Sequence, residues 1–338
     1  MCRLTAVRHA LNKALRPAVL GASLVAGLSL AGASQAAETW DMPMAYPASN
    51  YHSETGAAFA KEVNEKAGDE INIVTHPNGS LFGGGEIFNA VRRGLAPAGE
   101  RIISALGNED PLFEIDAIPF LATSFDDAWN LYQASKPALE KLMDKKGLKL
   151  LYTVPWPPQG LYTKKQLTSL DDMKGSKFRA YNPITTKLAE LIGAVPTKVE
   201  AAEVSQAFAT GVADSMITSA STGYDTKAWE FSSYFYDVQA WVPKNMVFVN
   251  KKAFEALSPE TQKVMMEAAA HAEKAGWDKA RELTAWYKDQ LQTNGLKVET
   301  PPAAITEGFK KVGDELLQDW LKKSGDEGKA VIDAYRAM

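Results

Sequence analysis

Short apolar runs alternating with amphipathic stretches, a proline cluster at Pro155–Pro158, and a helical pattern free of proline from Pro259 to Asn294 together predict an α/β protein of two lobes joined by a long helix. At 338 residues the chain has room for about two domains, each with its own core. With 46% hydrophobic and 23% charged residues it has ordinary globular composition, which excludes collagen, coiled coil and wholesale disorder.

The chain opens with Arg3, Arg8, Lys13 and Arg16 and no acid, then a small apolar run from Ala18 to Ala33. Ser34 and Ala36 are the small residues a signal peptidase accepts, so residues 1–36 read as a secretory signal cleaved after Ala36. The other reading is a transmembrane anchor, but the run is short of the roughly 20 residues that span a bilayer. The sole cysteine, Cys2, lies in this leader and is wrongly placed for lipid attachment. An exported chain without disulfides fits a protein free in the bacterial periplasm. Without the leader, 33 basic residues face 41 acidic ones, a net charge near −8. Such a body gains little from phosphate backbones or anionic membranes, so no nucleic-acid partner is expected.

Along the remainder, Trp40–Ala45 reads as a strand and Ser53–Lys66 as a helix with Ala57, Phe59, Ala60 and Val63 near helical spacing. Ile71–His76 alternates as a strand, Asn78-Gly79 marks a turn, and Gly83-Gly84-Gly85 precedes a helix over about Glu86–Arg93. Ser124, followed by Asp126-Asp127, opens a helix to about Gln133, since acids favour the first turn. Leu148–Val154 is an apolar strand that stops at Pro155-Trp156-Pro157-Pro158, a sequence that fits neither a helix interior nor a central strand. A second α/β segment follows: strand Ser176–Ala180, helices Pro183–Ile192 and Glu203–Thr210, and strand Asn245–Val249. Ser258-Pro259 then starts a helix with Ser as N-cap and Pro at the first position. Unbroken to Asn294 it would span about 54 Å, more than one small domain; a kink near Gly276 is the alternative.

Catalytic constellations are absent from this reading, and neither a cofactor nor a metal site is expected. His52, His76 and His271 have no metal-ligand spacing, and there is no H-E-x-x-H or G-x-S-x-G. The Gly83–Gly85 run lacks the rest of a dinucleotide or P-loop motif and reads as a turn where backbones approach closely. Asp171-Asp172 reads as a cap or solvated face. No enzyme is indicated.

Two features point to binding. Trp156, Tyr224, Trp229 and Trp241 fall near loops or the presumed crossings between lobes, where they either pack in cores or wall an inter-lobe cleft. In Phe178-Arg179-Ala180-Tyr181-Asn182-Pro183, an arginine within an apolar strand is costly unless its guanidinium meets a ligand anion or a buried acid.

The pieces Leu170-Asp171-Asp172-Met173-Lys174-Gly175-Ser176-Lys177-Phe178-Arg179-Ala180, Gly193-Ala194-Val195-Pro196-Thr197, Glu203-Val204 and Thr210-Gly211-Val212-Ala213-Asp214 resemble the substrate-binding proteins of TRAP (tripartite ATP-independent periplasmic) transporters. So do Ile118-Pro119-Phe120-Leu121 and Asn250-Lys251-Lys252-Ala253-Phe254-Glu255-Ala256-Leu257-Ser258-Pro259. In order, they cover nearly all of the chain beyond the leader. The resemblance implies a periplasmic-binding-protein clamshell with a long helix across both lobes, delivering small organic acids to a membrane permease. Lobe 1 would comprise 37–156 and 244–284, lobe 2 157–243 and 285–338, with a helix over about 259–294 spanning both. Arg179 matches the family's strand arginine, which grips the ligand carboxylate through two parallel hydrogen bonds.

Departures from the family pattern shape the expected ligand. Gln159 falls where many members carry a second arginine, and Ser215-Met216-Ile217-Thr218 replaces a frequent Gly-Gln-Glu-Asn. Thr218 or Ser219 thus offers a hydroxyl in place of an amide. The expected site is Arg179, Gln159, Thr218, Ser219, Trp156, Tyr181, Tyr224 and Trp241, holding a monocarboxylate rather than a dicarboxylate or sialic-acid-like sugar acid. A benzoate- or mandelate-like body suits aromatic walls; a small hydroxy or keto acid is the alternative. Presentation of the ligand to a membrane sensor kinase and a hydrolase in the same cleft are competing functions, although the Ser219-Ala220-Ser221-Thr222 run has no evident histidine partner. The resemblance allows a monomer or a homodimer.

Overall fold

In the computed structural model, which describes residues 37–338, the chain runs β1 (Glu38–Pro43), α1 (Tyr51–Lys66), β2 (Ile71–His76), α2 (Ile87–Arg92), β3 (Ala98–Ile102), α3 (Phe125–Lys145) and β4 (Leu148–Pro155) up to the proline cluster. Beyond it lie β5 (Gln159–Thr163), β6 (Lys177–Ala180), α4 (Pro183–Leu191), β7 (Val195–Lys198), α5 (Val204–Ala209), β8 (Ser215–Ser219), α6 (Ala220–Asp225) and β9 (Tyr234–Tyr236). β10 (Lys244–Asn250), α7 (Lys251–Ala256), α8 (Pro259–Thr293), β11 (Lys297–Glu299) and α9 (Ala303–Arg336) follow. The expected signal at 1–36 lies outside the described residues.

The strands sort into the sheets of a two-lobe clamshell, the chain leaving the first set after β4 and returning to it with β10. On one side β1 and β2 pair in parallel, and β10 lies antiparallel between β3 and β4. On the other, six strands form one sheet in the order β11-β9-β5-β8-β6-β7. Every side chain of β8 is buried, including its serines and threonine, as befits a strand covered on both faces. Antiparallel pairing sets Gln159 opposite Ser219 and Gly160 opposite Thr218, while parallel pairing sets Arg179 beside Met216. The register therefore brings Gln159, Thr218, Ser219 and Arg179 together from three strands.

Two chain crossings link the sheets, and they hydrogen-bond to each other. Trp156 N–H donates to Pro243 O at 2.8 Å, Gln159 N–H to Trp241 O at 2.9 Å, and Ala240 N–H to Gln159 O at 2.9 Å. Phe120, in the Ile118–Leu121 motif, donates its N–H to Ala240 O at 2.7 Å from a left-handed backbone conformation with φ of 60°. Strain of that kind persists only where the surroundings over-determine it, here beside the crossings.

α8 begins as its sequence predicts, with Ser258 Oγ accepting from Thr261 N–H and Pro259 in the first turn. It continues for 35 residues without a kink, a length of about 52 Å. It packs on α1 and β4 on one side and on α6 and β11 on the other, and so braces both lobes. Gly276 sits where α8 crosses β4: a Cβ there would lie 2.6 Å from a methyl of Val154.

Two helices depart from expectation. α3 extends to Lys145 rather than stopping near Gln133, carrying Pro137 inside it, because its packing on α9 and β4 outweighs the lost hydrogen bond. α9 packs on α3 and on the turn at 111–117 as well as on α4, so the C-terminal segment expected with the second lobe is shared between the lobes.

Candidate ligand-binding site

Between the sheets, beside the crossings, lies a cavity with about 400 Å³ of empty space, part of it open to solvent. Its chemistry is set by Arg179 on β6. The residue is 3% exposed, its Nε–H donates to Val199 O at 3.0 Å, and its Cζ lies 5.1 Å from the Tyr181 ring centroid. Among the described residues, the terminal guanidinium nitrogens have no protein acceptor, and the residue lines the cavity. Burial pulls its pKa below the ordinary guanidinium value, against the opposing pull of Tyr181 and Glu200.

Tyr181 and Gln159 belong to one hydrogen-bonded chain. Trp241 Nε1–H donates to Tyr181 Oη at 3.1 Å, Tyr181 O–H donates to Gln159 Oε1 at 3.2 Å, and Gln159 Nε2–H donates to Pro157 O at 2.9 Å. Gln159 thus lines the cavity with its carbonyl and one amide hydrogen already committed to protein. Its main effect is to hold Tyr181 in place. Burial pushes the hydroxyls of Tyr181 and Tyr46 well above the ordinary phenol range, so both are neutral. The Tyr46 hydroxyl has no protein partner among the described residues and faces the same cavity.

Trp156 forms a wall. Its ring stacks on His52 at 4.0 Å and meets Tyr46 edge-on at 4.7 Å, and its Nε1–H donates to Asn245 Oδ1 at 2.8 Å. Asn245 in turn donates to the buried Glu100 at 3.0 Å. Thr218 and Ser219 also line the cavity. Ser219 caps α6, its Oγ accepting from Thr222 N–H at 3.1 Å.

Two expected site residues require correction. Tyr224 does not reach the cavity: it lies toward the C-terminal end of α6 and packs on Trp286 and Tyr287 of α8, with centroids 5.0 and 5.7 Å away. Trp241 is fully buried behind Tyr181 and reaches the cavity only through that hydrogen bond.

Tyr46, Arg101, Glu200 and Thr222 also line the cavity, though the sequence does not single them out. Arg101 on β3 donates from Nη1 to Glu200 Oε2 at 2.8 Å and from Nη2 to Glu200 Oε1 at 3.0 Å, joining the two sides of the cleft. Burial raises the Glu200 pKa, but Arg101 more than offsets this and holds the carboxyl below the ordinary value. Gly84 makes room for the pair, since a Cβ there would lie 2.7 Å from Arg101 Nη1 and 2.9 Å from Glu200 Oε2. The signal for Arg101 is weaker than that for Arg179: it adjoins the apolar Ile102-Ile103 on one side only, with Glu100 on the other. Arg101, Arg179 and Glu200 leave the cavity with one uncompensated positive charge. Lys198 approaches Glu200 only at 3.6 Å, from a solvated position.

A cleft between two lobes, with aromatic walls and a buried guanidinium whose terminal nitrogens have no acceptor among the described residues, suits the capture of a small anion. The family model for bacterial extracellular solute-binding proteins, family 7, matches residues 44–324, and the chain belongs to that family. It is 49% identical to DctP6, a Bordetella pertussis extracytoplasmic solute receptor binding pyroglutamic acid, with a TM-score of 0.87 over 89% of this chain and all of that one. It is 47% identical to a TRAP solute-binding protein from a marine metagenome, crystallised with co-purified pyroglutamate, with a TM-score of 0.88 over 90% of this chain and all of the other. The ectoine/5-hydroxyectoine-binding periplasmic protein UehA of Ruegeria pomeroyi is 24% identical over 94% of this chain and 95% of its own. The protein is thus a solute-binding protein of the TRAP class. Among the described residues, no helix is long and apolar enough to cross a membrane.

Proposed function

We propose that this protein captures pyroglutamate, a five-membered lactam carrying one carboxylate, in the periplasm and delivers it to a TRAP permease without turning it over. The observation that carries this reading is Arg179: a buried guanidinium whose terminal nitrogens face a cavity of net single positive charge. A monocarboxylate completes that charge, and the fork of the guanidinium matches its two oxygens. A second carboxylate would be buried without a cation and would cost several kcal/mol. Tyr46 and Trp156 supply flat walls that suit a small ring, whether or not the ring is aromatic. The pyroglutamate-binding neighbours at 49% and 47% identity support the same choice.

The test is calorimetry on protein unfolded and refolded to strip carried-over ligand, with pyroglutamate, benzoate, lactate and succinate compared. Pyroglutamate should bind tightest, and Arg179→Lys should weaken it more than tenfold because one ammonium cannot reproduce the fork. A micromolar ligand at millimolar concentration adds about 4 kcal/mol of stability, so thermal unfolding gives an independent readout. Tight succinate binding beside weak pyroglutamate binding would overturn the charge argument. Export is tested separately: the mature protein should begin at Ala37 by mass spectrometry.

A further inference from the structure

We infer that Glu200 is a specificity-determining residue that accepts a hydrogen bond from an N–H on the ligand, so that the site selects carboxylates carrying a cis-amide edge and rejects those with only oxygen there. The inference rests on the pyroglutamate reading above and concerns the end of the ligand remote from Arg179.

A carboxylate is an unexpected lining for a cavity that receives an anion, because it repels the acid that Arg179 attracts. Glu200 nevertheless lines the same cavity as Arg179. It is held firmly, by two hydrogen bonds from a buried arginine on the other lobe and by the backbone of Gly84 packed against it. Each carboxylate oxygen has accepted one hydrogen bond from Arg101 and has lone-pair capacity left, while each Arg101 Nη keeps one hydrogen. The lateral edge of such a fork therefore sets an acceptor directly beside a donor. That edge is complementary to a lactam, whose N–H and C=O lie on the same side of the ring. The neutral hydroxyl of Tyr46, without a protein partner among the described residues, is a further donor in reach of the cavity.

An ionised carboxylate has no proton to give, so a ring oxygen facing it leaves both groups unsatisfied. Sites built around one such contact reject the analogue that lacks it far more strongly than apolar pockets reject a missing methylene. Because Arg101 belongs to β3 and Glu200 follows β7, the paired edge exists only when the lobes are together. Selection for the N–H is thereby tied to closure.

The probe is 5-oxotetrahydrofuran-2-carboxylate, the lactone that replaces the N–H of pyroglutamate with oxygen and keeps the ring, carbonyl and acid. Calorimetry on the full mature chain should show the lactone binding at least a hundredfold more weakly than pyroglutamate. In Glu200→Gln, whose amide can donate or accept, the gap should shrink below tenfold. In Glu200→Asp, which keeps the charge but withdraws the oxygens, pyroglutamate should weaken at least tenfold with little change for the lactone. These substitutions fail separately from the wild-type comparison, which needs no variant to fold. Equal affinity of the wild-type protein for lactam and lactone would overturn the role of Glu200 and leave the pyroglutamate reading standing. An undiminished gap in Glu200→Gln would do the same. Wild-type protein that binds no pyroglutamate would overturn both.

Discussion

Arg179 and Asp225 are both charged groups drawn out of water, and their surroundings treat them differently. Arg179 is left with terminal nitrogens that have no acceptor among the described residues, and in the proposed reading a ligand carboxylate completes them. Asp225, on α6, receives one hydrogen bond from Asn50 Nδ2 at 2.6 Å, and burial nevertheless pushes its pKa up to about 6. The sign follows from linkage. The folded state holds this proton more tightly than the unfolded chain, so stability is highest where both forms are protonated, below about pH 4, and falls as pH rises toward 6. Above that the cost of the buried charge is constant, about 3 kcal/mol. Asp225→Asn, which keeps an acceptor for Asn50, should therefore raise the melting temperature by roughly 5–10 °C at pH 7.5 and by far less at pH 4. Thermal unfolding at the two pH values checks it, and a gain of equal size at both would refute the titration. At this scale Arg179 is legible in sequence because a guanidinium amid apolar neighbours stands out. Arg101 stands beside Glu100, and the pair reads as polar until the fold turns Arg101 toward Glu200.

The elements differ in how much of each is locally determined. α8 has its start written in Ser258-Pro259 and its length in an unbroken periodic pattern, and the structure follows both. The absence of a kink at Gly276 is a tertiary matter: the residue is small because Val154 on β4 occupies the space of a side chain. Gly276→Ala gains about 1 kcal/mol of helix propensity but drives a methyl into that contact, at a cost of about 1–3 kcal/mol. It should lower the urea midpoint, and Val154→Ala in the same chain should restore more than half of the loss. Simple additivity of the two changes would show that the glycine is not there for this contact. β5, β7, β8, β9 and β11 escape sequence reading for a different reason. They are short, and β8 mixes Ser and Thr with apolar residues, so only pairing in the six-stranded sheet makes them strands.

For the whole molecule, function turns on the two crossings. They are tied by hydrogen bonds to each other and backed by Phe120, and we expect the lobes to rotate as bodies about this narrow link. Arg101–Glu200 spans the cleft in front of this hinge, and Asn50–Asp225 bonds α1's N-cap to α6. Ligand that engages both lobes shifts the population toward closure by its differential affinity for that state. Small-angle scattering should show the radius of gyration falling when pyroglutamate is added to stripped protein. An unchanged curve at saturation would indicate a rigid pocket.

From sequence come the α/β class and the long brace, which the structure bears out, and the expectations of a leader over residues 1–36, a lobe boundary at the proline cluster and a ligand contact at Arg179. Each rests on a local property: apolar periodicity, proline's fixed backbone, a capping residue, or a charge where water is scarce. The ordered motifs around Arg179 also carried the family. Packing in three dimensions decides which aromatics line the cavity, turning Tyr46 and Trp156 toward it and Tyr224 toward α8. It also decided that Gln159 braces Tyr181 while an arginine from the other lobe supplies the second guanidinium, bound to Glu200. Residues 46, 101, 179 and 200 lie far apart along the chain, and nothing in their neighbours records the meeting. Strand register and lobe closure bring them within reach, and those depend on the packing of every element at once.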